Sequence, residues 1–221
     1  TQLNTVADTD QWARFFAVMT ILQDYETNIS NGVDDDYGIY FRPGPGNQRL
    51  AQLVPHDLDT IAGMGDSPQS YNASGLYDMT EGGESGYTFR TLLPLLGNSK
   101  TPGNPDFRNL YLTEVRKLLG TVFDADTTVS ANPPFYQFVD AHLAGWAPAA
   151  TIASIKEFVR QRRIYLLDLI ADGVAGGTSS TPITPPAATA VSTVTSAHSA
   201  VIISEVLAAN ANAHQNAGSY P

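Results

Sequence analysis

Two short strand-like runs, joined by a turn rich in proline and glycine, constrain the fold of this chain more than any other feature. The runs are Tyr37–Phe41 and Leu50–Val54, and the turn is Arg42–Asn47. Pro55 cannot donate to a strand ladder, so the chain leaves the sheet just before Asp57 and Asp59. The sequence therefore predicts a β-hairpin with acidic residues at its open end.

Four acids can converge near the open end of this hairpin. Asp36 immediately precedes the first strand, Asp57 and Asp59 follow the second, and Asp24 ends the preceding helical segment. Like charges placed so close are costly unless a cation neutralises them, and Mg²⁺ or Ca²⁺ takes carboxylate oxygens as ligands. The alternative is that Asp57 caps a turn and Asp59 lies in water. The residues alone leave both interpretations open.

Helical spacing of apolar residues dominates the rest of the chain up to residue 172. It predicts helices over residues 8–25, 105–123, 135–143 and 148–171, with a shorter helical piece near 91–96. Asn104-Pro105-Asp106 has the N-cap, proline and acid that favour a helix start. The predicted fold class is therefore mainly α with a small β-hairpin, an α+β domain.

In two of these helices, the sequence predicts which side chains face the core and which face solvent. In the helix after Asn104, the apolar face includes Phe107, Tyr111 and Val122. The charged residues of this helix are expected to face outward, namely Arg108, Glu114, Arg116 and Lys117. In the last helix, Ile164 is a core candidate. Arg160, Arg162 and Arg163 form a basic band there, which we interpret as a solvated face with local ion pairs.

The composition suits a globular domain and limits the partners it can bind. Of 221 residues, 43% are hydrophobic, and acids outnumber Lys and Arg by 22 to 12, a formal charge of −10. Such a charge disfavours a nucleic-acid backbone or an anionic membrane as partner. No segment has the ~20 apolar residues that span a bilayer, and Thr1–Asn4 lacks the pattern of a signal peptide. We expect an intracellular protein or one whose signal lies upstream.

The chain changes character after residue 172. Residues 173–197 are uncharged and rich in Gly, Ser, Thr, Pro and Ala, as in extended linkers. Val201–Leu207 is a β-branched run that predicts a strand. The predicted organisation is a domain over 1–172, a linker over 173–197, and a terminal strand within 198–221 that either joins another sheet or begins a further domain.

Several segments, taken in order, resemble the spore-coat-protein-H (CotH) family of secreted, atypical protein-kinase-like proteins. In that family an aromatic-rich helix leads to an Asp-containing loop, a Tyr-rich strand and a Pro-Trp-Asp-x-Asp-x-x-x-Gly segment. Here this last segment is similar and reads Pro55-His56-Asp57-Leu58-Asp59-Thr60-Ile61-Ala62-Gly63. Asn104–Leu112 and Phe158–Arg163 resemble helices of the family's carboxyl lobe. Ile203–Asn210 is similar to the first strand of lamin-tail-like domains.

The resemblance implies a role for each matching residue. Asp24 would be the catalytic acid that orients a substrate hydroxyl. Asp57 would bind the metal and, with His56, the nucleotide, while Asp36 and Asp59 would complete the metal site. His56 stands where the family has tryptophan, and Asp36 where it has asparagine. The implied cofactors are Mg²⁺ or Mn²⁺ with ATP, and Ca²⁺ is the alternative.

The fold implied by the resemblance is a protein-kinase-like carboxyl lobe of a secreted or cell-surface protein. The complete protein would transfer phosphate from ATP to a protein hydroxyl. An amino-terminal lobe, which would supply the phosphate-binding lysine, is expected as a partner, and this chain alone is expected to be inactive. The alternative is a non-catalytic structural or adhesive extracellular protein that assembles with partner chains through 198–221.

Overall fold

The computed structural model of this chain describes residues 2–24, 37–65, 68–77, 93–97 and 103–171. Over these ranges the protein is α+β, as predicted, with one antiparallel sheet and several helices. The strands are β1 (Tyr37–Pro43) and β2 (Arg49–Pro55). The helices are α1 (Thr9–Leu22), α2 (Leu93–Leu96), α3 (Pro105–Leu119), α4 (Pro134–Leu143) and α5 (Ala149–Ala171). The predicted linker and terminal strand lie outside the described residues.

The predicted hairpin forms, and its inner strand is joined to the amino terminus of the domain. β1 and β2 pair with Tyr37 opposite Pro55 and Pro43 opposite Arg49, and a 3₁₀ turn over Pro45–Asn47 connects them. On the other edge of β2, Ala51 donates to the Val6 carbonyl at 2.9 Å and accepts from the Asp8 amide at 3.0 Å. The amino-terminal segment therefore covers the outer edge of β2.

Helix α1 lies between this hairpin and the rest of the core. Its first turn is capped by Asp8, whose side chain accepts from the Gln11 amide at 3.3 Å. The Gln11 side chain in turn pairs with β2, donating to the Leu53 carbonyl at 2.6 Å and accepting from the Leu53 amide at 2.9 Å. These hydrogen bonds fix the amino end of α1 to the hairpin. They also satisfy the amide and carbonyl of Leu53, which β1 does not pair.

The centre of the core is the contact between α1 and α3. Phe16 and Tyr111 are fully buried there, and the ring of Phe16 meets that of Phe107 edge-on at 6.1 Å. Burying one side chain of this size contributes about 1.5–3 kcal/mol. The predicted apolar face of α3 is confirmed at Phe107 and Tyr111. Val122, which was predicted to be part of it, follows the helix and is half exposed.

Two charged residues of α3 that were predicted to face outward are buried. The Arg108 guanidinium lies 4.3 Å from the centroid of the Tyr77 ring, a cation–π contact. The Glu114 carboxylate accepts from Arg14 at 3.4 Å and from Lys117 at 3.2 Å. The prediction was wrong because it assigned direction from charge alone, whereas each charge has a partner that makes burial possible.

The Asn104 side chain caps α3 by accepting from the Phe107 amide at 3.0 Å, which confirms the predicted helix start.

The last two helices, α4 and α5, pack against each other. Lys156 of α5 donates to Asp140 of α4 at 2.6 Å. Ile164, predicted as core, is exposed instead, while Leu166 is fully buried.

Candidate functional site

The residues that the sequence singled out lie at the carboxyl end of α1 and in the loop that follows β2. Asp24 follows Gln23, which ends the helix in the left-handed conformation with φ 53°. His56, Asp57 and Asp59 lie in the loop after Pro55, and all three are exposed. Asp36, the fourth predicted acid, lies outside the described residues. The structure therefore describes four of the five predicted site residues.

A backbone hydrogen bond holds this loop against the end of α1. The Ala62 amide donates to the Leu22 carbonyl at 2.7 Å, two residues before Asp24. Helix ends leave such carbonyls without an intrahelical partner, so the loop satisfies one of them. This bond brings the segment that carries Asp57 and Asp59 to the same end of the helix as Asp24.

The backbone of this loop is tightly packed and partly left-handed. Asp57 and Ala62 both have positive φ, 49° and 55°. A Cβ on Gly65 would lie 2.6 Å from the Asp59 carbonyl oxygen, and one on Gly63 would lie 2.7 Å from the Phe158 ring of α5. Left-handed backbone at non-glycine residues costs of order 1–3 kcal/mol and persists only where the surroundings impose it. The path of the loop is therefore set by contacts with both helices.

The basic band predicted on α5 divides into residues with different roles. Arg160 donates to both oxygens of the Glu157 carboxylate, at 2.8 and 2.6 Å, and together with Gln161 it lowers the pKa of Glu157 to about 2. This is the local surface pair that we predicted. Arg162, in contrast, is completely buried, so the prediction of a solvated side chain was wrong for it.

The buried Arg162 binds backbone at the candidate site. Its guanidinium donates twice to the Thr20 carbonyl, at 3.2 and 2.7 Å, and to the carbonyls of Tyr71 and Ser74 at 2.8 and 2.6 Å. A cation at the carboxyl end of a helix is favoured by the helix dipole, here that of α1. Arg162 thereby fixes the last turn of α1 to the 71–77 segment.

Two buried oxygens beside the predicted acids have no hydrogen-bond partner among the described residues. Gln23, adjacent to Asp24, uses its Nε2 to donate to the Ser70 carbonyl at 2.8 Å, but its Oε1 is unpaired. The Thr60 hydroxyl, adjacent to Asp59, is likewise buried and unpaired. Each such atom costs about 1–3 kcal/mol of desolvation. In the described part of the chain, only Arg116 Nε shares this condition.

Sequence reasoning did not identify Gln23, Thr60 or Arg162 as part of this region. Gln23 and Thr60 are immediate neighbours of predicted acids, which was the one available signal. Nothing local marks Arg162, because its partners lie 88 to 142 residues away in sequence.

The donor atoms at the site are of the type that hard divalent cations prefer. Asp24, Asp57 and Asp59 offer carboxylate oxygens, and Gln23 and Thr60 offer neutral ones. However, the described residues contain no group of three or more His, Cys, Asp or Glu side chains that could hold a metal ion. These oxygen atoms are of the kind that binds a divalent cation. In the described ranges, however, they do not form a complete set of metal ligands.

Comparison with known proteins adds nothing to these observations, since no family model, curated protein or solved structure matches this chain. In the described residues, no helix is long and apolar enough to cross a membrane.

Proposed function

We propose that this domain is the carboxyl-lobe-like part of a secreted, kinase-like protein, which when complete transfers phosphate from ATP to a protein hydroxyl. The observation that supports this most is the 2.7 Å hydrogen bond from the Ala62 amide to the Leu22 carbonyl. It holds the loop of Asp57 and Asp59 at the helix end that carries Asp24. Phosphoryl transfer needs acids of both kinds near one another, one to orient the hydroxyl and others to hold a cation.

In this proposal Asp24 orients the hydroxyl, and Asp57 binds Mg²⁺ or Mn²⁺ together with Asp59 and Asp36. His56, exposed in the same loop, would contact the nucleotide. The unpaired oxygens of Gln23 and Thr60 support a ligand at this end of α1, because buried acceptors are normally satisfied. The domain alone would be inactive, since positioning and charge neutralisation come from both lobes of a kinase.

A second candidate function is a non-catalytic structural or adhesive role outside the cell. It is favoured by the apolar side chains that the hairpin leaves exposed, among them Ile39, Tyr40 and Phe41. Exposed apolar groups that lie together commonly mark contact with another protein or segment. In this case a divalent cation such as Ca²⁺ would serve rigidity alone.

Calorimetric titration of Mg²⁺, Mn²⁺ and Ca²⁺, with and without ATP, separates the two functions. The variant to use is Asp57→Asn, because asparagine tolerates the left-handed backbone at this position and removes only the charge. Asp10→Asn is the matched control, since Asp10 is an exposed acid at the opposite end of α1.

Binding of Mg²⁺ or Mn²⁺ that depends on ATP, is lost in Asp57→Asn and survives in Asp10→Asn would support the kinase-like function. Binding of Ca²⁺ that is indifferent to ATP would support the structural role. If none of the three cations binds, with or without ATP, the phosphotransfer proposal is overturned.

A further inference from the structure

The two outer edges of the hairpin are treated differently. On β2, the backbone groups of Ala51 and Leu53 point away from β1, because they bond to Val6, Asp8 and the Gln11 side chain. In an antiparallel pair, the residues opposite them must also point outward. These are Phe41 and Ile39, so their amides and carbonyls line the outer edge of β1.

Nothing in the described part of the chain pairs with this outer edge. Within the described ranges, no hydrogen bond from another element reaches the backbone of Ile39 or Phe41. Edge strands that remain open are commonly protected by inward charges, lysines, bulges or prolines. β1 has only Pro43 at its last position, and its one charged residue, Arg42, is bound to Asp8 at 2.7 Å. β1 therefore lacks most of the features that protect an open edge strand, which indicates that another strand pairs with it.

The side chains along this edge are apolar and only half covered. Ile39 and Phe41 are 53% and 52% exposed, although they share a face with Leu53, which is 1% exposed. On the opposite face, Tyr40 is 56% exposed. Side chains of a further strand beside β1 would cover Ile39 and Phe41. The backbone of that strand would also pair with the amides and carbonyls that line the outer edge of β1.

We infer that residues Val201–Leu207 of the same chain add to the outer edge of β1 as a third strand. Five of these seven residues are apolar, and four are β-branched. They lie outside the described residues, and it is their sequence that fits the edge. This inference does not depend on the proposed function.

The connection to this segment is long enough, and its charge favours it over a second copy. Val201 follows the end of α5 by 30 residues, and a flexible linker of that length spans about 30 Å between its ends. That distance is about the diameter of a small domain. Two copies of a chain with a formal charge of −10 repel each other, whereas Val201–Leu207 carries one acid, Glu205.

Hydrogen exchange of single amides in the full chain tests this inference. Ile203→Pro removes a donor and cannot continue a paired strand, while Ala188→Pro makes the same change inside the linker and is the matched control. We expect the amides of Ile39 and Phe41 to exchange on the order of tenfold faster in Ile203→Pro than in the unmodified chain or in Ala188→Pro. Tyr40, whose amide faces β2, should be unaffected in all three.

Protection at Ile39 and Phe41 should also be independent of protein concentration, with a monomer mass by light scattering. Protection that rises with concentration together with a doubled mass would assign the edge to a second chain and overturn the inference. Fast exchange in all three proteins would overturn it as well, and so would protection that survives Ile203→Pro.

Discussion

The two ends of helix α1 are built in opposite ways. At the amino end, the Asp8 carboxylate accepts from the Gln11 amide, from Arg42 at 2.7 Å and from Gln52 at 2.8 Å. At the carboxyl end, Gln23 has a left-handed backbone and an unpaired Oε1. Polar groups that are fully satisfied stabilise a fold, whereas strained backbone and unpaired buried atoms gather at sites that bind or react. The contrast assigns the candidate site to the carboxyl end, which Arg162 must secure from another helix.

The largest expected effect comes from Arg162, which secures the carboxyl end. Replacing it by methionine leaves the carbonyls of Thr20, Tyr71 and Ser74 without their shared donor. We expect Arg162→Met to lower the free energy of unfolding by about 3–5 kcal/mol, measured by urea titration. Arg160→Met, which breaks a surface pair, should cost less than about 1 kcal/mol. Equal losses in the two variants would mean that the buried guanidinium is not a structural centre.

The amino end is tested by Asp8→Asn, which keeps the shape but weakens the bonds to Arg42 and Gln52. A loss of about 1–2 kcal/mol is expected near neutral pH. Burial raises the pKa of Asp8, but hydrogen bonds from Gln52 and Arg42 lower it by more, so its pKa in the folded state lies below the ordinary value.

The pH dependence of this effect follows from the sign of the shift. The carboxylate contributes stability above its unfolded pKa, and that contribution is lost as the pH falls towards the lower pKa of the folded state. The difference in stability between the unmodified chain and Asp8→Asn should therefore shrink as the pH falls from about 5 to about 3. A difference that stays constant over this range would show that charge has no part in the cap.

The smallest expected effects compare two buried threonines, one whose hydroxyl is hydrogen-bonded and one whose hydroxyl is not. The Thr20 hydroxyl shares a 2.9 Å hydrogen bond with Tyr111, so Thr20→Val should cost about 1–2 kcal/mol. The Thr60 hydroxyl is buried and unpaired, so Thr60→Val should be neutral or stabilising by about 0.5 kcal/mol. Thermal unfolding of both variants measures the difference. A Thr60→Val variant as unstable as Thr20→Val would show that this hydroxyl has a partner.

The features of this fold that could be predicted are those whose causes are close in sequence. The Pro/Gly turn determines the hairpin, and the N-cap of Asn104 determines where α3 begins, because both depend on residues within a few positions. The position of Asp57 and Asp59 in a loop directly after the hairpin could also be predicted, because Pro55 ends the second strand.

The features that could not be predicted depend on distant parts of the chain. Arg162 lies only two residues from Arg160 in sequence, yet Arg162 is buried and Arg160 pairs at the surface. What distinguishes them is the set of backbone carbonyls that folding brings to one position. Arg108 was misassigned for the same reason, because the Tyr77 ring that covers it lies in a separate segment.

The distance in sequence between Thr20 and Arg162 has a consequence for the synthesis of the protein. The ribosome makes the Thr20 carbonyl 142 residues before the guanidinium that binds it. At ordinary elongation speeds, this interval lasts on the order of ten seconds. Throughout that time the last turn of α1 must be hydrated or held by a chaperone, so a nascent chain stalled before residue 162 should remain open to proteases at this helix end.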